Sequence, residues 1–262
     1  MPSTLVRDVL RRVSTLLQDM KPQYRRWSEI ELVDALNDGQ RALAKYLTLA
    51  GSRVDVIRLA PGSRQFVGSV SSANILPGDG STPVTKRGIA LMDVLRNMGA
   101  SGATPGKVVR LARRSDKDAA DPAWHAAAAA TAIDEFMFDP RTPTFFWVSP
   151  PVHASTQVWV EIAWTAQPDL IPAGGAANSE IYKADGSNTQ AITVDDLYVD
   201  DLVNYVVARA FLKDAEEGDS QNGQVYAGAF LASLNAQIAA QSGTNPNLRI
   251  LPFAPVPIGS AK

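Results

Sequence analysis

The chain has 262 residues, a net charge of −2, two histidines and no cysteine. A chain of this length can bury a sizeable core in one large domain or in two coupled ones. The near-neutral charge argues against nucleic-acid binding through a basic surface, and the lack of cysteine excludes disulfides, thiolate zinc sites and thiol nucleophiles.

Two helices are predicted near the start of the chain. Apolar side chains recur every three or four positions over residues 5–20, which is the pattern of a first amphipathic helix. The second helix, residues 27–50, begins with a capping box, because Ser28 and Glu31 can satisfy N–H groups that the first turn leaves unpaired. Its apolar stripe has to be covered by another part of the chain. That stripe consists of Ile30, Val33, Leu36, Leu43 and Leu47.

From residue 51 onwards the apolar pattern changes to every second residue, and clusters of Gly, Pro, Ser and Asp separate the runs. We expect about five to seven strands in an antiparallel, sandwich-like or barrel-like arrangement. Residues 75–84 are predicted to form a loop, and the alanines at 126–130 either a single helical turn or an ordered loop. The strand-like runs cover residues 54–60, 65–70, 89–96, 107–113, 132–151 and 157–168.

The late part of the chain returns to a helical pattern. Residues 193–218 are a candidate cover for the stripe of the second helix, and a last helix follows with apolar residues spaced by four. Residues 1–53 hold nine basic and six acidic side chains, whereas residues 193–262 hold four and eight. Opposite charge favours association of the two helical halves, although an exposed ion pair contributes at most about 1 kcal/mol.

Two polar features of the helix at 193–218 invite a functional interpretation. Four aspartates crowd its first turns, which the helix dipole favours; a divalent-cation site is the weaker alternative, because the spacing of a calcium loop is absent. Arg209 lies within the apolar stripe, so we predict a partly buried, structural ion pair with an acid such as Asp38. The four aspartates are Asp195, Asp196, Asp200 and Asp201.

The predicted fold class is therefore α+β. A helical bundle formed by residues 1–52 and 193–244 carries an inserted antiparallel β-sandwich or barrel-like domain at 53–192, and an extended C-terminal arm follows at 245–262. The arm holds four prolines, which exclude a helix or an internal strand. Because it is also apolar, we expect the arm to lie on another surface, its own or that of a partner.

No enzyme signature is present. The chain has no GxSxG or HExxH motif, and neither His125 nor His153 belongs to a recognisable acid/base constellation, so no catalytic, cofactor-binding or metal-binding residues are predicted. Asp134 and Glu135 suggest a glycosidase pair only weakly. No membrane span or signal peptide is expected, since no apolar run reaches about 18 residues and charges interrupt the first residues.

A carbohydrate-binding β module is a second alternative. Aromatic side chains on a sheet can form a flat platform for sugars, but Trp164 alternates with the core face and is predicted to pack inside. Trp159 could take either role. The tryptophans that raise this alternative are Trp147, Trp159 and Trp164.

Several segments stand in a familiar order: LNDGQRAL (36–43), DPAW (121–124), FDPRTPTFFWVSPP (138–151), VEIAW (160–164) and YVVARAFLKDAE (205–216). Over roughly residues 1–240 the chain thereby resembles the head-to-tail adaptor proteins of short-tailed bacteriophages. The resemblance implies a non-enzymatic virion protein of the tail or neck, without a cofactor, assembled in the host cytoplasm.

The same resemblance implies a set of partners. Copies of the chain would form a ring of about twelve subunits between the portal protein and further tail proteins such as nozzle or fibres. Genomic DNA would pass through the ring during ejection without sequence-specific binding. The C-terminal arms of the family dock on the portal, which points to Leu248, Arg249, Ile250, Leu251 and Phe253 as docking residues.

Overall fold

A computed structural model of the chain describes residues 4–19, 26–172, 182, 188–213 and 217–244. The chain separates into two compact units, one formed by residues 1–50 with 170–262 and the other by residues 51–169. We call them the helical unit and the sheet unit. The helical unit combines both ends of the chain, whereas the sheet unit is one continuous segment.

Four of the five described α-helices belong to the helical unit. A 3₁₀ turn at Asp196–Tyr198 leads into the fourth helix. None of the helices in the described ranges combines the length and apolar character needed to cross a membrane. In chain order the helices are α1 (Val6–Leu16), α2 (Glu29–Tyr46), α3 (Arg114–Ala120), α4 (Val199–Lys213) and α5 (Glu217–Thr244), of which α3 lies in the sheet unit.

The start of α2 confirms the predicted cap. The Ser28 hydroxyl accepts a hydrogen bond from the Glu31 N–H at 3.4 Å, and the Glu31 carboxylate in turn interacts with the Ser28 backbone N–H. The Glu31 N–H, one of the donors that the first turn leaves without a backbone partner, is thereby satisfied by a side chain. The cap sets the first residue of the helix and with it the direction of the apolar stripe.

Early and late helices share one core, as the predicted fold class requires. Leu36 on α2 is fully buried in the same apolar cluster as Leu202 on α4. Gly39 lets the two helices approach closely, since a Cβ atom there would lie 3.0 Å from Cδ1 of Tyr205. Trp27, just before α2, donates its indole N–H to the carbonyl of Ala210 at 3.2 Å. The stripe of α2 is therefore covered by α4.

The sheet unit contains two four-stranded sheets. The first has the order β3-β1-β8-β4 and is antiparallel throughout, and the second has the order β2-β7-β6-β5, in which only β5 and β6 are parallel. Neither sheet closes into a barrel. The strands are β1 (Ser52–Arg58), β2 (Gly62–Phe66), β3 (Ile75–Pro77), β4 (Gly88–Asn97), β5 (Arg110–Leu111), β6 (Glu135–Phe138), β7 (Phe145–Val152) and β8 (Trp159–Ala166).

One apolar core joins the two sheets. Ile162 and Trp164 from the first sheet and Phe146 and Val148 from the second are fully buried in the same cluster. The alternation predicted for β8 is confirmed, because Ile162 and Trp164 point into this core. The sheet unit is thus an open, sandwich-like pair of sheets.

Some local predictions for this unit are wrong. The count of eight strands exceeds the expected range because one short strand, β3, was predicted as loop, whereas β5 lies within the predicted run at 107–113. Residues 75–77, predicted as loop, pair with β1, since neighbouring backbone can recruit even a proline-flanked segment as an edge strand. The two prolines at 150 and 151, where we expected the strand to end, lie inside β7, which continues to Val152. The alanine run follows the ordered-loop alternative, because only Ala126 belongs to a 3₁₀ turn (Trp124–Ala126) and Ala130 forms an isolated bridge with Val152.

Candidate functional site

A cleft of about 380 Å³ between α2 and α4 contains both residues of the predicted ion pair. Asp38 and Arg209 line this cleft, but Asp38 pairs with Arg41 at 3.4 Å and Arg209 is exposed. A pairing of Arg209 with Asp38 would require rotation of one side chain and stays a prediction. Arg209 falls outside the buried stripe because its neighbours Ala208 and Ala210 take the inward positions.

An ion pair at the mouth of the cleft does join the two helical halves. The ammonium group of Lys213 on α4 lies 2.5 Å from the carboxylate of Glu31 on α2. This hydrogen bond is the main reason why the pKa of Glu31 lies below its ordinary value. Burial within the same helix pair raises the pKa of Tyr205. The polar groups of the cleft thus stabilise helix packing.

Buried polar side chains on the other side of α2 hold the chain where it returns from the sheet unit. Asn37 donates to the carbonyl of Ile171 and accepts its N–H, both at 2.9 Å. The Glu29 carboxylate accepts the N–H of Tyr182 at 3.1 Å, and the Gln40 carbonyl oxygen accepts the N–H of Thr193 at 2.7 Å. Sequence reasoning missed this set. The spacing of eleven positions between Glu29 and Gln40, about three helical turns, places them on one face and is the signal that could have found them.

The aspartates at the start of α4 are each engaged separately. No group of three or more histidine, aspartate or glutamate side chains in the described ranges is arranged to hold a metal ion. Capping and pairing account for the cluster, in agreement with the helix-dipole interpretation. Asp195 accepts the N–H of Leu197 at 2.9 Å, Asp196 that of Thr4 at 2.9 Å, Asp200 pairs with Arg12 at 3.0 Å and Asp201 accepts from Gln237 at 2.8 Å.

The chain is similar to one known protein family over almost its whole length. The profile of the family described as SU10 adaptor protein matches residues 4–250, which include most of both units. The chain belongs to this family. No curated protein shows significant sequence similarity to the chain. The resemblance to head-to-tail adaptors of short-tailed phages is thereby confirmed, and the chain is a phage structural protein of the virion tail or neck.

For an SU10 adaptor protein, the tryptophans of the sheet unit act mainly in packing. Trp164 is fully buried, as predicted, and donates its indole N–H to Asp55 at 2.8 Å. Trp159 is only 7% exposed. Neither offers an open ring to a sugar, so the structure gives the carbohydrate-binding alternative no platform at these two positions.

The adjacent acids Asp134 and Glu135 also have structural partners in this adaptor. Asp134 binds Lys107 at 2.7 Å, and Glu135 binds Lys117 at 2.8 Å. A glycosidase requires two carboxylates that face each other across a substrate cleft. Each of these acids instead neutralises a different lysine.

The predicted docking residues of the arm lie outside the described residues. They are Leu248, Arg249, Ile250, Leu251 and Phe253, and their assignment stays a prediction.

Proposed function

We propose that this SU10 adaptor protein forms a ring of about twelve copies that joins the portal to the rest of the tail. The match of the adaptor family over residues 4–250 is the observation that carries the proposal. Further tail proteins, such as nozzle or fibres, attach to the opposite side of the ring. The particle is assembled in the host cytoplasm.

The construction of the helical unit supports a role as a rigid building block. Its core is closed by segments from both ends of the chain, and buried hydrogen bonds such as that between Asn37 and Ile171 fix the segment that returns from the sheet unit. Buried polar groups with satisfied partners favour one unique arrangement. A subunit of this kind offers repeatable surfaces to its neighbours.

The charge of the chain supports a passage for DNA without tight binding. Proteins that grip duplex DNA do so through many basic contacts to phosphate, and this chain has a net charge of −2. A ring of such subunits lets the genome slide through during ejection. The DNA is thus cargo that crosses the ring.

The test of the ring is the mass of the purified protein, alone and mixed with portal protein, by native mass spectrometry. We expect a closed oligomer of one size in at least one of the two samples, and a complex with the portal in the second. A strict monomer that ignores the portal would refute the proposal.

The arm is tested by a truncation that removes residues 245–262. The described helices end at Thr244, so the shortened chain should keep its helical content and its melting temperature. Portal binding should be lost, because the proposed docking residues Leu248, Arg249, Ile250, Leu251 and Phe253 are removed. Unchanged portal binding by the shortened chain would contradict the docking role.

A further inference from the structure

The outer face of the second sheet carries aromatic and basic side chains together. Arg64 on β2 pairs in register with Trp147 on β7, and Phe66 with Phe145, so all four lie on one face. The rings of Phe66 and Phe145 are 4.7 Å apart, and Phe66 remains 48% exposed. Together with Arg114 from α3, we call these residues the basic aromatic face.

The arginines of this face lie over the rings. The guanidinium carbon of Arg114 is 4.4 Å from the centre of Trp147, and that of Arg64 is 5.9 Å from the centre of Phe145. A guanidinium stacked in this way keeps its N–H edge available for a carboxylate. Arg64 has no carboxylate within 4.0 Å among the residues that the structure describes. Arg114, in contrast, already pairs with Asp118 at 3.5 Å. The donors that the face leaves unused are therefore those of Arg64, beside the exposed ring of Phe66.

This arrangement favours a protein partner over a nucleic acid. Bases bind by stacking on open aromatic faces, and here the arginines already cover the rings of Phe145 and Trp147. Arginine and aromatic residues are also the side chains that contribute most to protein–protein interfaces. The fitting partner presents carboxylates around an apolar side chain.

The entry to α4 has that chemistry. Leu197 is 84% exposed, more than any other large apolar side chain in the described ranges. Asp195 and Asp196 precede it directly, and Asp200 follows three positions later. Leu197 borders an open pocket of about 480 Å³ that Asp8, Asp196 and Asp200 also line. The Asp200 side chain is 81% exposed, and its pair with Arg12 is a surface pair that can exchange partners at little cost. We call Asp195, Asp196, Leu197 and Asp200 the acidic knob.

We propose that the acidic knob of one copy docks on the basic aromatic face of a second copy, with Leu197 against Phe66 and Asp200 near Arg64. The two surfaces differ, so the contact is head-to-tail and can close into a ring of more than two subunits. This inference rests on the proposed ring and names the surfaces that build it. We choose a second copy as the partner for two reasons. The two surfaces have opposite charge, and Leu197 on the acidic knob is an exposed apolar side chain that the contact would bury.

The first test reverses one charge on each surface. In Arg64→Glu, oligomerisation, measured by native mass spectrometry with and without portal protein, should weaken roughly tenfold or more because like charges meet. Asp200→Arg should have a similar effect, and the double variant should regain assembly. Arg87→Glu is the matched control, since Arg87 is also exposed in the sheet unit and lies outside this face.

The second test uses the absence of cysteine from the chain. A chain with both Phe66→Cys and Leu197→Cys should give, under mild oxidation, a ladder of covalent multimers, whereas each single variant should stop at dimers. Circular dichroism before oxidation checks that the variants fold. If the cysteine variants do not fold, the charge variants still test the contact.

The outcomes separate this inference from the proposed function. If the native chain forms a ring but Arg64→Glu leaves it intact and no ladder appears, the knob contact is overturned and the adaptor ring stands. If the native chain forms no oligomer in either sample, both are overturned. Binding of a labelled DNA duplex that depends on Arg64, without a ladder, would also overturn the contact in favour of nucleic acid.

Discussion

The helical unit and the sheet unit bury their cores in different ways. In the helical unit, α2 packs against α4, and hydrogen bonds such as Glu29 with Tyr182 join residues 153 positions apart. In the sheet unit, all strands come from the continuous segment 51–169. The helical unit therefore depends on the chain leaving and returning, whereas the sheet unit has every part of its core within one segment.

The largest expected effect follows from cutting the chain at the unit boundaries. A fragment of residues 51–169 should fold alone, because its core is complete, and a fragment of residues 1–50 should be largely unfolded, because the stripe around Leu36 has lost its cover. Circular dichroism and thermal melting measure both. Adding a fragment of residues 170–262 to 1–50 should restore helix, and cooperative melting of 1–50 by itself would contradict the comparison.

The next largest effect concerns one tryptophan in each unit. Trp27→Ala and Trp164→Ala should each lower the free energy of unfolding by about 3–5 kcal/mol, because each empties a large buried site and removes an indole hydrogen bond. Urea unfolding followed by circular dichroism gives the values. Val225→Ala, at an exposed position of α5, should stay within about 0.5 kcal/mol, and losses below about 1 kcal/mol at either tryptophan would contradict the assigned burial.

Glycines at close contacts sharpen the comparison, because helices meet through side chains and strands through backbone. Gly39→Ala on α2 places a Cβ atom 3.0 Å from the Tyr205 ring. The free energy of unfolding should therefore fall by only about 1 kcal/mol, because a side chain can shift away. Gly78→Ala in the sheet unit places a Cβ atom 2.0 Å from the Val54 carbonyl oxygen. The free energy of unfolding should there fall by about 3 kcal/mol, because the backbone cannot shift as easily.

A third glycine supplies the control for the same measurement. Gly228→Ala on α5 meets no atom within 4 Å and should raise the free energy of unfolding by about 0.5–1 kcal/mol through helix propensity. Equal losses at Gly39 and Gly78 would show that the contact atom does not matter and would remove this distinction between the units.

The smallest effect is the pH dependence of the ion pair that joins the two helical halves. The pKa of Glu31 is lowered in the folded protein, so the pair stabilises the fold above the ordinary value of 4.5 and the contribution is lost as the pH falls through the folded-state pKa. Both side chains are about half exposed, so the effect should be well below about 1 kcal/mol. Unfolding free energies of the native chain and Glu31→Gln should converge towards low pH. A difference that grows with acidity would give the opposite sign.

The sequence predicted well what short-range periodicity determines. Four features could be predicted because each depends on side chains within a few positions of one another. They are the cap at Ser28, the stripe with Leu36, the buried alternation in β8 and the late helices. The α+β class followed from the change of period after residue 50. The adaptor family was recognised from the order of motifs.

Features that depend on distant parts of the chain were harder to predict. The edge strand β3 exists because β1 recruits it, and Asn37 is buried because Ile171 returns to meet it. Arg209 faces outward because packing placed Ala208 and Ala210 inside, a choice that depends on the rotation of α4. The charge and exposure of the basic aromatic face depend on strand register, which a single sequence leaves open.

In the sequence, the sheet unit separates α2 from α4, and this order has a consequence for synthesis on the ribosome. Translation proceeds at roughly 5–20 residues per second, so α2 emerges on the order of 10–30 s before α4 can cover it. During that interval the nascent chain exposes the stripe around Leu36 while the sheet unit is already able to fold. Newly made chains should therefore be most vulnerable to aggregation and to capture by chaperones in this window, before the second half of the helical unit exists.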